Sequence, residues 1–495
     1  MRYSFGFLCV CLLGVMPLVW CSGNGGEGGT GGIGGGGTGG MPRCQIPEDC
    51  DDANDCTDDT CVDGTCEYTL RADGTACDES NECTTTGMCA GGECEATPVQ
   101  DGNPCGGETY DGHPRGDCYG GLCNFVSVSV TIGAKDVVFD WTTDRCEDFD
   151  VPDCPAKVVR AEDGELVLFD GTALTYYLSR GADFDGLERV CDPPALVSTE
   201  LLTPESYQNE EWLWSPYREG ASWHVLIHNE FHDPLAPSCS DSPCWYNSIT
   251  SAVSTDGARS FVKPGAPNHV VAPAPRLWTP PDTPVESWYV DGYFEPTNIV
   301  VGPDNYYYAL ITRMRIDPTM GIDLRGVCAM RTKTLGDPAS WRAWDGGGFN
   351  LPLTSPYVAG GDVPECEVVA LPPGAGAQSL SYNTYLGRYM SVDSHLIWEG
   401  GKQICGFVFS TSLDLIHWSD LQLITPARIG CDTDDTTPGQ LEPVQVAYPS
   451  IIDHLDSSAN FERPGRTPYL YYTRVNDDWL DRDVVRVPVT FMLED

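Results

Sequence analysis

From residue 125 to the C-terminus the chain reads as short runs in which apolar and aromatic positions alternate with polar ones, with almost no stretch of helical period. Five of these runs share one pattern: 165–169 (ELVLF), 223–229 (WHVLIHN), 306–313 (YYYALITR), 388–394 (RYMSVDS) and 469–474 (YLYYTR). β-Branched and aromatic side chains suit a pleated, half-buried surface, so each run predicts a strand. Around one of them, 298–301 and 306–312 predict two short strands joined by the turn Gly302-Pro303-Asp304-Asn305. After the first interval the runs recur about every 80 residues, the mark of a repeated sheet unit.

Most of these strands are followed by a second and then a turn: 179–187 (SRGADFDGL), 254–261 (STDGARSF), 331–341 (RTKTLGDPASW) and 410–418 (STSLDLIHW). In each, an Asp near the turn precedes an apolar or aromatic residue. The carboxylate can accept the turn's N–H groups while the ring packs between neighbouring sheets. The segment 254–261 resembles the Asp box of sialidases, and 410–418 is similar to the looser version in other glycoside hydrolase propellers. Four such turns at a roughly even interval imply a radial stack of four-stranded blades. The expected fold class is all-β: a five-bladed β-propeller over residues 124–495, at about 75 residues per blade, behind an N-terminal disulfide-rich repeat module. The strand 125–132 (FVSVSVTI) lies ahead of the first blade and is expected to complete the last one, removing an exposed edge.

The N-terminal part is of another kind. Residues 1–21 combine Arg2 with an apolar run too short for a comfortable membrane span, and read as a secretory signal peptide. Residues 18–21 (LVWC) resemble a bacterial lipobox, with Trp20 where that motif takes a small residue, so lipidation of Cys21 and plain secretion stand as alternatives. Residues 22–43, mostly glycine, form a flexible linker. Within residues 44–123 there is a repeat: 50–77 (CDDANDCTDDTCVDGTCEYTLRADGTAC) is echoed by 77–105 (CDESNECTTTGMCAGGECEATPVQDGNPC). So few large apolar side chains cannot hold such a unit, which must be stapled by disulfides. The Cys spacing and the DGTAC and DGNPC turns resemble the cysteine-rich repeats of surface proteins of myxobacteria and their relatives.

The chain has 24 cysteines and no CxxC pair, which implies disulfides in an oxidising compartment rather than metal clusters. Nine lie beyond residue 130, so one is left unpaired or bridges to another module, and Cys239 with Cys244 is expected to staple a loop. The formal net charge of -45 argues against nucleic acid and against anionic membrane surfaces. Asp49, Asp51, Asp52, Asp55, Asp58 and Asp59 lack the ordered spacing of a calcium loop, so a solvated acidic face is expected there. No cofactor is required by this reading, and calcium is the one ion for which it leaves room.

In a propeller the innermost strands begin on one face of a central channel. Those strands are expected near 153–159, 210–217, 294–300, 378–383 and 447–453. Glu295, just before Pro296 at the mouth of an apolar strand, is a carboxylate that would be costly to bury unless paired or used. Asp153, Glu211 and Glu295 then offer carboxylates from three successive blades to one cleft. Glycoside hydrolysis needs two carboxyl groups on opposite sides of the scissile bond, and a third can keep the proton donor protonated by repulsion. The arrangement resembles the five-bladed glycoside hydrolases of the arabinanase and invertase type. That resemblance implies Asp153 as base or nucleophile, Glu295 as general acid and Glu211 as the second-blade acid, where the family normally has Asp. The invertase-type motifs of the first two blades are absent. Residues 364–366 (PEC) are similar to that type's Glu-Cys acid, but blade order favours Glu295 over Glu365.

The segment 224–233 (HVLIHNEFHD) brings His228 and Glu230 towards the channel mouth as substrate contacts. A metal site with His232 is disfavoured by the alternation of strand side chains, and no metal ligand is assigned. Trp214 and Tyr293, with Trp212, Trp245 and Tyr246, could stack on sugar rings or pack between blades; Asn298 and Arg313 are weaker candidates for polar contacts. The expected function is that of an exported, glycan-active monomer, a glycoside hydrolase that takes an extracellular glycan or oligosaccharide. It would be secreted or held at the outer surface of a bacterium through Cys21 alone. A carbohydrate-binding or adhesion propeller without turnover, and a sialidase-like enzyme, are the alternatives. The blade count and the lack of an arginine cluster oppose the second of these.

Overall fold

The computed structural model describes residues 44, 50, 52, 54–77, 82–108, 114–233, 235–239, 244–282, 288–372, 374–431, 437–476 and 478–494. The signal peptide 1–21, the Cys21 anchor, the linker 22–43, Asp49 and Asp51 lie outside the described residues. The chain divides into two compact units, the first ending at Phe125 and the second running Val126–Asp495. Among the described residues no helix is long and apolar enough to cross a membrane.

The first unit is held by sulfur. Its strands form short hairpins, Thr57–Val62 with Thr65–Leu70, Gly87–Ala90 with Glu93–Glu95, and Pro114–Tyr119 with Leu122–Cys123. Its buried apolar clusters consist almost wholly of cysteines. Cys44–Cys61, Cys77–Cys94 and Cys105–Cys123 close equivalent loops, while Cys56–Cys89 and Cys83–Cys118 reach from one repeat into the next, with Cys50–Cys66 as the sixth bridge. Each such cross-link is worth about 2–4 kcal/mol, which offsets the missing apolar burial. The first repeat's aspartates serve its turns: Asp52 accepts from the Asn54 N–H and the Thr57 hydroxyl, both at 2.9 Å, and Asp58 pairs with Arg71 at 2.8 Å.

The second unit is all-β, with five antiparallel meanders in chain order. The first is Lys157–Arg160, Leu166–Phe169, Leu178–Gly181 and Glu188–Val190. The second, Glu210–Glu219, Ser222–His232 and Cys244–Ser254, shares one sheet with the third, built on Tyr307–Asp317 and Ile322–Thr332, because Tyr289–Phe294 pairs in parallel with the start of Cys244–Ser254. Gly292 permits that join, since a side chain there would collide with the Asn247 carbonyl oxygen. The fourth is Ser379–Asn383, Arg388–Glu399, Lys402–Ser412 and Gln422–Pro426; the fifth is Val446–Ile452, Tyr469–Val475 and Arg482–Leu493. Val128–Ile132 pairs antiparallel with the last of these strands, covering its edge.

The strand expected at 298–301 is shorter, Val300–Val301, because Asn298 spends its side chain on the fourth meander. The next strand begins at Tyr307 and runs further, to Asp317, in an eleven-residue register with Ile322–Thr332.

Side-chain hydrogen bonds join the beginnings of these meanders in a cycle. The Trp212 ring N–H donates to Asp153, Ser215 to the Pro296 and Thr297 carbonyls, Ser379 and the Leu380 N–H to Asn298, the Ile451 N–H to Ser379, and Ser450 to the Ala156 carbonyl. Buried Lys157 reaches from the first meander to the Gln378 carbonyl of the fourth at 2.8 Å.

Aromatic wedges fill the spaces between meanders. In the turn after Cys244–Ser254, Asp256 accepts the Arg259 and Ser260 N–H groups at 3.0 Å, and Phe261 drops into the core against Phe169. Asp414 does the same for the Ile416 and His417 N–H groups ahead of buried Trp418. Four disulfides, Cys146–Cys191, Cys239–Cys244, Cys328–Cys366 and Cys405–Cys431, use eight of the nine cysteines, and buried Cys154 is free. Phe261→Ala should lower unfolding free energy by about 3–5 kcal/mol and Asp256→Ala, at an exposed turn, by about 1 kcal/mol; urea unfolding of both variants measures the difference.

Candidate active site

The strand Ser222–His232 is flanked on both sides, in a register that sets Trp212 opposite His228, Glu210 and Asn247 opposite Glu230, and Trp245 opposite His232. Opposed residues share a face, and so do residues two apart. His228, Glu230 and His232 are therefore gathered by the alternation rather than separated by it, which corrects the expectation from sequence. Glu230 accepts from His228 Nε2 at 2.9 Å, His232 Nε2 at 3.0 Å and Asn247 Nδ2 at 3.1 Å. Burial opposes its charge, but the two histidines outweigh that and hold its pKa far below the usual carboxylate range. In return, the Glu230 and Glu210 carboxylates raise the His232 pKa against the effect of burial.

Asp153, ahead of the first meander, is 6% exposed. It is ion-paired with Arg482 and accepts from the Trp212 ring N–H at 3.3 Å and the Tyr448 hydroxyl at 3.2 Å. Glu295 is half-buried, and its carboxyl makes no hydrogen bond among the described residues. Burial first, then the charges of Asp393, Glu230 and Asp153, push its pKa up to about 8. Asp393, buried on Arg388–Glu399, is itself pushed up to about 6 by burial, against the Ser394 and Gly376 amides. The carboxylates of Asp393, Glu230 and Asp153 thus all act on the Glu295 carboxyl, which marks one polar cluster.

Other expected site residues lie elsewhere. Glu211 points to the opposite face from Glu210, where it is fully buried and paired with Lys263 at 2.6 Å; Glu210 is the second meander's acid in the cluster. Trp214 is buried beneath His228, ring centroids 5.1 Å apart. Tyr293 is core, its hydroxyl accepting the Cys366 N–H at 3.3 Å. Arg313 donates to the Cys366 carbonyl at 2.9 Å and lies 3.4 Å from Glu365, which also pairs with Arg276. Trp245 and Tyr246 are buried as well. Glu210, Glu230 and His232 each bring a ligand atom within 4.8 Å of the others, but His232 already donates to Glu230. With three donors, one of them nitrogen, the set does not fit calcium, which takes six to eight oxygens.

Asp393, Tyr448, Arg482 and Trp479 were not singled out from sequence. Trp479 is 44% exposed, 5.8 Å from the Arg482 guanidinium that holds Asp153. Only the step of two between Glu210 and Trp212, facing the step of two between His228 and Glu230, was available as a signal.

The chain matches no protein-family model and no curated protein. Among solved structures it is similar to an endo-arabinase from Bacteroides thetaiotaomicron VPI-5482, with TM-score 0.40, 12% identity, and 73% of this chain and 99% of that one covered. An α-L-arabinofuranosidase from Lactobacillus brevis gives TM-score 0.37 and 12% identity over 69% of this chain and 91% of that one. A Cellvibrio cellulosa α-L-arabinanase gives 0.36 and 10% over 69% and 91%. At these scores neither activity nor substrate carries over.

Arg482→Met leaves Asp153 buried without its counter-charge and should cost about 3–5 kcal/mol in chemical unfolding, most of it recovered in the double variant with Asp153→Asn.

Proposed function

We propose that the five meanders are the blades of a β-propeller and that the unit is a glycoside hydrolase acting on extracellular glycans. Asp153 serves as base or nucleophile and Glu295 as general acid. The observation that carries this reading is the contrast between two carboxyls of one cluster: Asp153 is tied to Arg482, whereas Glu295 has an unbonded carboxyl that holds its proton up to about pH 8. In one cleft that contrast divides the labour of glycoside cleavage. Glu295 gives its proton to the leaving oxygen, and Asp153 activates water or attacks the anomeric carbon. Glu230 and Asp393 keep the proton on Glu295 by like-charge repulsion. Trp479 offers an apolar plane to a sugar ring beside Arg482. Ten disulfides among the described residues support folding in an oxidising compartment, consistent with export from the cell, as a secreted or Cys21-anchored monomer.

A panel of chromogenic glycosides and polysaccharides tests the proposal. The wild type should turn over at least one substrate, and Glu295→Gln and Asp153→Asn should each lower kcat by about 100-fold or more. Polysaccharide binding with no turnover by the wild type would replace the enzyme with a binding module. The acid must carry its proton to act, so kcat/KM should fall as pH rises through about 8.

A further inference from the structure

Glu295 breaks two local rules at once. Its φ of 47° lies in the left-handed region, where a side chain with a Cβ is strained, and it precedes Pro296, which disfavours all but extended backbone at that position. A residue in that state needs an outside hold. The Glu295 N–H donates to His228 Nδ1 at 2.9 Å. A backbone amide can only donate, so Nδ1 must be the unprotonated nitrogen, and the ring proton sits on Nε2, directed at Glu230. Glu230 in turn is held by His232 and Asn247. Both ring nitrogens of His228 are thereby engaged, and the ring is packed between Trp212, Trp214 and Phe294.

We infer that His228 is not a substrate contact but a positioning residue: its Nδ1 fixes the left-handed backbone of Glu295, and Glu230 fixes the tautomer that makes Nδ1 an acceptor. This rests on the assignment of Glu295 as general acid. The chain of hydrogen bonds from His232 through Glu230 and His228 to the Glu295 amide sets where the acid's carboxyl stands in the cleft.

Three substitutions separate this role from simple packing. His228→Asn keeps an acceptor near the Nδ1 position, His228→Leu removes it, and His228→Gln moves it to the Nε2 position, out of reach of the amide. Crystal structures of the variants should show a positive φ at residue 295 with Asn and its loss with Leu or Gln. On a substrate turned over by the wild type, Leu and Gln should lower kcat about 100-fold with KM within about twofold, and Asn should restore most of the rate. If the Leu variant does not fold, the Gln variant decides. A positive φ at residue 295 in the Leu or Gln variant, or a rise in KM with kcat intact, overturns the inference. Absence of any turnover by the wild type would defeat the hydrolase reading alone, and φ at residue 295 would still decide the role of His228.

Discussion

The ion pair between Asp153 and Arg482 joins the residues just ahead of the first meander to the last strand of the fifth. Hydrogen bonds between the beginnings of the meanders bring polar groups together where water is scarce. A carboxylate there is tolerated only if a charge or several donors meet it. Arg482, Trp212 and Tyr448 meet Asp153 from the fifth, second and fifth meanders, so the same contacts that make the acid affordable also tie first to last.

Around that point, two kinds of interaction hold the meanders together. Packing is carried by aromatic wedges between meanders, seated by turn aspartates that satisfy backbone N–H groups. The beginnings of the meanders are joined by hydrogen bonds, from one to the next. In the first unit, where neither resource exists, disulfides take over.

Two of the residues with left-handed backbones belong to this cluster. They are Glu295, with φ of 47°, and Tyr448, with φ of 57°. Such conformations persist only where surroundings over-determine them. The Glu295 amide has His228, and the Tyr448 hydroxyl has Asp153.

The sequence by itself determined what depends on near neighbours. Alternating aromatic runs specify strands because a pleat puts every second side chain on one face, and the aspartate turns and cysteine repeat follow from spacing alone. It also pointed to Asp153 and Glu295, acids placed just ahead of apolar strands. Only the tertiary structure decided the rest. Whether Glu210 or its neighbour Glu211 faces Glu230 depends on the register with Ser222–His232, and a shift of one residue exchanges them. Tyr448 and Arg482 come to Asp153 through contacts hundreds of positions apart, and no local pattern encodes such a distance. The same holds for Tyr293 and Trp214: an aromatic ring reads alike in sequence whether it ends in a core or a cleft, and the packing of neighbouring sheets settles which.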